Sequence, residues 1–346
     1  ANYYVAARVV RENPSATRSF YDGVLPFQRE IDRRGLDASG SFLAFPPPSA
    51  ILLLPVAGLP APPARNILLV AGLLFILLSI FALWRTFPER RLIETAAIVL
   101  LGAPSFIASF REGQVYPAIL LTLSISLLFT IRKRVAAAGI AAGLFALVKP
   151  VGVAWIPFFA MRRDGRAVLG FVVAAASVAL FSLAFIPLDV YRAYFHGAFA
   201  AAGGGFQDPF TAVFQSWSSI LRRLFIREPT LNPAPALDAP FLFTILKSSV
   251  TALIFGFTAY VLWRRRGIDA SDAAPLDLSI LLLAFFAILP MTASYQMMLL
   301  AIPVVCIADH ARKVGARWTL LVSLAAYPIA GAPIPGFLLR LDHGVG

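Results

Sequence analysis

The chain has 346 residues, of which 59% are hydrophobic and 14% charged, with a mean hydropathy of +0.78. Soluble domains carry about 45–50% apolar and about 25% charged residues, so this composition excludes a cytosolic globular protein. The net charge of +12 is gathered in short clusters between apolar runs (Arg132 to Arg134, Arg162 to Arg166, Arg264 to Arg266, Arg312 and Lys313), the positive-inside signature of loops on one membrane face and not a nucleic-acid surface.

Residues 1–44 are polar and mixed. Tyr3, Ala7 and Val10 lie at helical spacing opposite Arg8, Arg11 and Glu12, which predicts a short amphipathic helix ended by Asn13 and Pro14. A second such stretch sets Phe27 and Ile31 against Arg29, Glu30, Asp32 and Arg33. Both are expected to lie in the bilayer interface. The proline-rich piece 45–60 is too short to span, and taking it as non-spanning puts residues 1–44 on the face opposite the basic loops. Spans are expected at 66–85, 93–110, 114–131, 167–187, 241–263, 277–293, 295–309 and 317–330, since roughly 18 or more apolar residues cross a bilayer as a helix.

Lys149 and Pro150 interrupt the apolar segments 135–148 and 151–161, which form a hairpin or one broken helix. The segment 188–240 reads as a long non-spanning loop holding the glycines at 203–205, then Phe206, Gln207, Asp208 and Pro209, then an interfacial helix with Phe214, Trp217, Leu221 and Leu224 on one face. The tail carries Pro328, Pro333 and Pro335. Four regions follow: 1–44 an outer loop with amphipathic helices, 45–187 transmembrane helices, 188–240 the long outer loop, and 241–346 the C-terminal helices. The fold class is an all-α polytopic membrane protein.

Phosphate-binding loops, His-Glu-x-x-His, Cys-x-x-Cys and Asp-x-Asp patterns do not occur in the sequence, and His196, His310 and His343 are scattered, so no metal or cofactor is expected. Cys306 reads as a core residue. What remains is polar side chains at the outer ends of apolar segments (Arg111, Glu112, Gln114, Lys149, Gln215, Arg222 and Tyr295), where ionisable groups are costly and mark function. Each has a plainer alternative. Lys149 is a phosphate-binding point charge or a snorkelling lysine. Glu112 is a base or an interfacial ion pair with Arg111. Gln114 and Gln215 bind sugar hydroxyls or tie helices together. Arg222 and Arg223 hold a lipid phosphate or anchor to headgroups. Tyr3, Tyr4 and Tyr295 stack on substrate or belong to an aromatic belt. Asp22 is a base or a turn residue before Gly23.

Several motifs recur in a fixed order: Tyr3-Tyr4-x-Ala6-Ala7, Tyr21-Asp22, Phe45-Pro46-Pro47-Pro48 before Leu54-Pro55, Gly113-Gln114-Val115, Leu147-Val148-Lys149-Pro150, Gln215-Ser216 with Arg222-Arg223-Leu224, and Ser294-Tyr295-Gln296. This pattern resembles the GT-C glycosyltransferases of family 87, the polyprenol-phosphate-mannose-dependent mannosyltransferase group. The resemblance implies a GT-C-like helix bundle in a bacterial inner membrane with its active site facing outward. It implies an inverting transfer of a sugar, mannose, from a polyprenyl-phosphate donor to a lipid or glycan acceptor, and neither nucleic acid nor cofactor. Asp22 and Glu112 would be catalytic candidates, Lys149, Arg222 and Arg223 would meet the donor phosphate, and Tyr3, Tyr4, Gln114, Gln215 and Tyr295 would meet sugar or acceptor. In that family the acidic residue stands just ahead of the Tyr-Tyr element. The resemblance therefore implies a base upstream of Ala1, and a chain that lacks its first transmembrane helix is expected to be inactive.

Two rival readings remain. An aminoarabinose- or protein-mannosyl-type GT-C transferase would show Lys-Pro-Pro where this chain has Phe45-Pro46-Pro47. A transporter or lipid flippase would need paired, interrupted repeats, and only one interrupted segment is found.

Overall fold

The computed structural model describes residues 1–201 (side chains to 197), 210 and 214–332. The glycines at 203–205, the Phe206 to Pro209 motif, Pro333, Pro335 and His343 lie outside the described residues. Within them the regular structure is helical, with two isolated β-bridges.

The chain opens with α1 (Asn2–Glu12), a 3-10 segment Pro14–Tyr21 and α2 (Val24–Arg33). The 45–60 piece forms two short 3-10 turns, Pro47–Ile51 and Leu54–Val56, where prolines remove the donors a longer helix needs. Then follow α3 (Ala61–Thr86), α4 (Leu92–Leu100), α5 (Ala103–Arg111), α6 (Tyr116–Ile131), α7 (Val135–Gly143), a 3-10 turn Pro150–Trp155, α8 (Ile156–Met161) and α9 (Gly165–Leu183). The second half holds α10 (Leu188–Ala201), α11 (Trp217–Phe225), α12 (Pro240–Arg265), α13 (Ala270–Ile288), a 3-10 segment Ser294–Leu300 running into α14 (Ala301–Lys313), and α15 (Arg317–Gly331).

Among the described residues five helical segments are long and apolar enough to cross a bilayer: α3, α9, α12, α13 and Ser294–Lys313; α4 and α5 together form an apolar pair bent by 61°, a broken span or a re-entrant loop. The 26 residues of α3 and of α12 rise about 39 Å, ample for a hydrocarbon core of about 30 Å. Most of α12 is exposed, as are Leu73, Leu77 and Phe81 of α3 and Leu180 and Phe181 of α9, the surface a lipid solvent requires. The Ser294–Lys313 span is the most enclosed of the five.

Ion pairs collect the basic loops at one end. Lys133 meets Asp269 at 3.3 Å. Arg162 meets Asp277 at 3.0 Å and donates to the carbonyls of Arg265 and Arg266, while Arg265 reaches the same Asp277 at 2.6 Å. Buried Arg90 pairs with buried Asp309 at 3.3 Å, and Lys313 joins Asp309 at 3.0 Å. Both ends of the 135–161 segment are thus anchored on this basic face, so it is a hairpin with Lys149 at its tip on the opposite face.

Glycines let that hairpin pack tightly. A Cβ at Gly139 would meet the Ala167 carbonyl oxygen at 1.9 Å, and one at Gly170 would meet that of Ala136 at 2.4 Å. Backbone touches backbone between α7 and α9.

Four expectations need correction. The apolar faces of α1 and α2 do not lie on the bilayer: Val5, Ala6, Val9, Phe27 and Ile31 are buried in protein, because α1 packs against the 3-10 segments Pro14–Tyr21, Pro47–Ile51 and Leu54–Val56 and the rings of Phe20 and Phe42 cover Phe27 of α2. The expected 93–110 span divides at Leu101 and Gly102. The 188–240 segment begins with a helix, α10, where a loop was expected. On α11 the buried face is Ser218, Ser219 and Leu221, whereas Trp217, Ile220 and Leu224 are exposed. The hydroxyls face inward there because Ser216 and Ser219 both donate to the Pro290 carbonyl, at 2.6 and 3.2 Å.

Candidate active site

The face opposite the basic loops is built around Phe45. A stack of Phe27, Phe42 and Phe45 joins it to α2, and the Tyr21 hydroxyl donates to its carbonyl at 2.9 Å. The Tyr3 ring meets it edge-on at 5.2 Å. On its other side the Lys149 Nζ stands 4.3 Å from the ring centroid.

Lys149 has an extended backbone (φ −143°, ψ 116°), as expected for a residue before proline, and this turns the hairpin over at its tip. Its half-buried ammonium has no carboxylate partner among the described residues. Lys149 lies outside the spanning helices, and burial alone pushes its ammonium down to about 8. An unpaired cation in a low-dielectric place is a site for an anion.

The cavity that Lys149 lines has a volume of about 710 Å³. Its polar groups are Lys149, Tyr116, Tyr191, Tyr194 and Gln296, and its walls are apolar, from Pro46 to Pro48, Leu183, Phe285, Phe286 and Leu289. Burial raises the Tyr191 and Tyr194 phenols, so both are neutral donors. At Pro48 and Val148 this cavity adjoins a groove of about 1140 Å³ between α7, α9 and the 48–55 turns, with Arg11 at its edge. The groove follows α9 from Val173 to Phe185, about 18 Å along the helix axis, one leaflet deep.

Beyond Phe45 the cluster continues. Tyr3 donates to Gln114 Oε1 at 3.5 Å, a long contact, and the Tyr116 and Tyr295 rings are 5.5 Å apart. Glu112, exposed where α5 ends, acts electrostatically on the Tyr295 phenol. Gly113, at φ +59°, supplies the turn into α6.

The structure therefore brings Tyr3, Gln114, Lys149 and Tyr295 together, with Glu112 at the edge. Gln215 approaches through the backbone, its N–H donating to the Thr292 carbonyl at 2.8 Å, while its side chain donates to the Ala332 carbonyl at 2.8 Å. Arg223 donates to the carbonyl of Phe214, which bridges to Ala293 beside Tyr295. Arg222 lies over the rings of Phe210 and Phe243 instead. Tyr4 turns away, donating to the Leu59 carbonyl at 2.7 Å and accepting from Arg8. Asp22 is an exposed turn residue after Pro14–Tyr21. No contact among the described residues joins Asp22, Tyr4 or Arg222 to the cluster.

Sequence reasoning missed Tyr116, Tyr191, Tyr194 and Gln296. Tyr191 and Tyr194 share a helical face at i, i+3 spacing, a signal hidden once 188–240 was taken as a loop, and Gln296 stands beside Tyr295 in a motif already singled out.

The family model for glycosyltransferase family 87 matches residues 42–290. No curated protein and no solved structure matches the chain. The matched segment contains Phe45, Glu112, Gln114, Tyr116 and Lys149, together with the helices that carry them. The chain is a membrane glycosyltransferase that belongs to glycosyltransferase family 87.

Proposed function

We propose that the chain moves a sugar, mannose, from a polyprenyl-phosphate donor to a lipid or glycan hydroxyl on the face opposite the basic loops, the outer face of a bacterial inner membrane. The observation that carries this reading is Lys149, an ammonium with no carboxylate partner among the described residues, in an apolar-walled cavity that adjoins a one-leaflet groove. The donor phosphate pairs with Lys149, its isoprenoid tail follows the groove, and its sugar faces Tyr116 and Gln296.

In the transfer, the acceptor oxygen attacks the anomeric carbon and its proton passes to a carboxylate. The bond from that carbon to the phosphate oxygen breaks, and the electron pair leaves on polyprenyl phosphate. Attack from the face opposite the leaving group inverts the anomeric centre. Fixed positive charge where the leaving phosphate gains negative charge is the largest contribution such a site makes. Of the two candidate carboxylates, Glu112 has the better position and Asp22 stays in its turn.

The test is Lys149→Ala in the full chain, reconstituted with polyprenyl-phosphate [14C]mannose. Transfer is expected to be lost while the protein elutes and unfolds as the wild type does; undiminished turnover removes Lys149 from the site. Uptake of free sugar into sealed vesicles, without labelled product, would favour a transporter.

A further inference from the structure

On the face of the basic loops, away from the candidate active site, the turn between α8 and α9 leaves two opposite charges without partners. Arg162 of that turn reaches Asp277. On the same face Asp269 is taken by Lys133, and Asp309 by Arg90 and Lys313. Asp164 is not taken. It stands among Arg162, Arg163 and Arg166 in the chain, yet its carboxylate forms no ion pair or hydrogen bond among the described residues. Asp is a favoured helix N-cap and Asp164 holds that position on α9, but its side chain accepts nothing from the first turn. Arg163 has no carboxylate partner among the described residues either.

Backbone geometry fixes where both residues stand. Arg163 is left-handed, at φ 54°; its N–H donates to the Ala160 carbonyl at 3.0 Å, and that of Asp164 to the Phe159 carbonyl at 2.9 Å. The two residues that close α8 in this way both line a cavity of about 450 Å³ between α8 and α9. Its other walls are apolar. Phe159 is buried, Val168 half-buried, and Leu169 and Val172 are exposed on the lipid-facing side of α9. From Gly165 to Val172 the helix rises about 10 Å, so the cavity runs from the charged turn into the hydrocarbon layer. Burial raises the Asp164 carboxyl against the pull of Arg162, as expected of a half-buried carboxylate that lacks a counter-ion of its own.

An apolar slot capped by one cation and one anion is complementary to a zwitterionic phospholipid. Arg163 suits phosphate, Asp164 suits an ammonium that donates hydrogen bonds to it, and the slot gains by burying an acyl chain. Headgroups differ in how many of these demands they meet. Phosphatidylglycerol offers the phosphate alone and sets Asp164 against a like charge. Phosphatidylcholine carries a quaternary ammonium with no N–H to donate. Phosphatidylethanolamine supplies both the phosphate and a primary ammonium. A single carboxylate gives too few oxygens for a metal ion. We infer that this cavity binds a phosphatidylethanolamine of the leaflet on the basic-loop face, with its phosphate at Arg163, its ammonium at Asp164 and an acyl chain along Val168, Leu169 and Val172. The bound lipid bridges α8 to α9 at the foot of the hairpin that carries Lys149.

The experiment uses the full chain in detergent micelles that contain equal amounts of phosphatidylethanolamine, phosphatidylcholine and phosphatidylglycerol with the same acyl chains. Native mass spectrometry measures which lipid the protein retains. Phosphatidylethanolamine is expected to be held about threefold more tightly than either of the others, the size of one partly exposed ion pair. Asp164→Asn keeps the side-chain shape and is expected to erase the preference over phosphatidylcholine. Arg163→Gln is expected to lower retention of all three. In the wild type, hydrogen exchange across residues 159–172 should slow on adding phosphatidylethanolamine and stay unchanged with phosphatidylcholine. Equal retention of phosphatidylethanolamine and phosphatidylcholine, or phosphatidylglycerol held as tightly or tighter, overturns the inference. So does a preference that survives Asp164→Asn, retention unmoved by Arg163→Gln, or slowed exchange confined to other segments. The lipid series and the exchange measurement on the wild type need no variant, and they decide the question should either substitution fold poorly.

Discussion

Lys149 gives the sharpest prediction, because its charge state and its role are linked. Its ammonium is held 4.3 Å from the Phe45 centroid, a desolvated cation–π contact worth about 2 kcal/mol, and burial brings it down to about 8. Only the protonated form pairs with the donor phosphate. As pH rises through about 8 the free enzyme loses that form, so kcat/KM for the donor should fall by about tenfold per pH unit above it. A bound phosphate favours the charged form, which moves the inflection in kcat to higher pH. Replacing Lys149 by Ala removes a charge-assisted contact of about 1.5–3 kcal/mol; if the lost charge also served the leaving group, kcat falls by about 10²–10³. Lys149→Arg is the decisive comparison, since a guanidinium stays charged: its residual activity should be flat where the wild type declines. The assay is initial-rate transfer from labelled donor in nanodiscs between about pH 6.5 and 9.5, within which the wild-type inflection must appear. A flat wild-type profile, or an unmoved inflection in Lys149→Arg, would refute the assignment.

Other variants test neighbouring parts of the account. Glu112→Gln should lower kcat by about 10²–10⁴ as the loss of a general base; full activity removes Glu112 from that role. Asp277→Asn strands Arg162 and Arg265 around a buried, neutral amide and should cost about 3–5 kcal/mol, read as a lowered unfolding midpoint in detergent, and an unchanged midpoint contradicts the triad. Gly139→Val drives a side chain into the Ala167 carbonyl and should destabilise the hairpin by at least about 1–3 kcal/mol, visible as protease cleavage near Arg162. Ser216→Ala removes the hydroxyl that caps α11 and donates to Pro290, a loss of about 1 kcal/mol that should speed hydrogen exchange in α11 and leave α13 unaffected.

Much of this architecture was legible because the bilayer is a demanding solvent. Long apolar runs had to be helices, and clustered arginines had to share a face, so five of the expected spans follow from hydropathy and charge; the expected spans 114–131 and 317–330 are the shorter helices α6 and α15, and the choice between a hairpin and a broken helix around Lys149 needed the ion pairs at its two ends. What escaped depends on tertiary contact. Asp277 lies within a span, and only the structure reveals that Arg162 and Arg265 neutralise it. The Ala and Val face of α1 looks like an interfacial stripe, yet it is covered by the short 3-10 segments Pro14–Tyr21, Pro47–Ile51 and Leu54–Val56. The 93–110 run reads as one span, and the structure divides it between α4 and α5 with a 61° bend. In the candidate site, Lys149 stood out as a charge at a helix break, whereas Tyr191 and Tyr194 needed α10 to be seen as a helix. Tyr4 and Arg222 satisfied the same sequence criterion as Tyr3 and Arg223, and only packing separates them.

The most direct measurement is photo-crosslinking of the full chain in nanodiscs with a polyprenyl-phosphate analogue that carries a diazirine in its first isoprene units. Peptide mapping should place the label on the groove walls next to Lys149, within residues 140–148 and 173–185, with Lys149→Ala lowering the yield. Label spread along the exposed faces of α3 and α12, and indifferent to Lys149, would contradict the account.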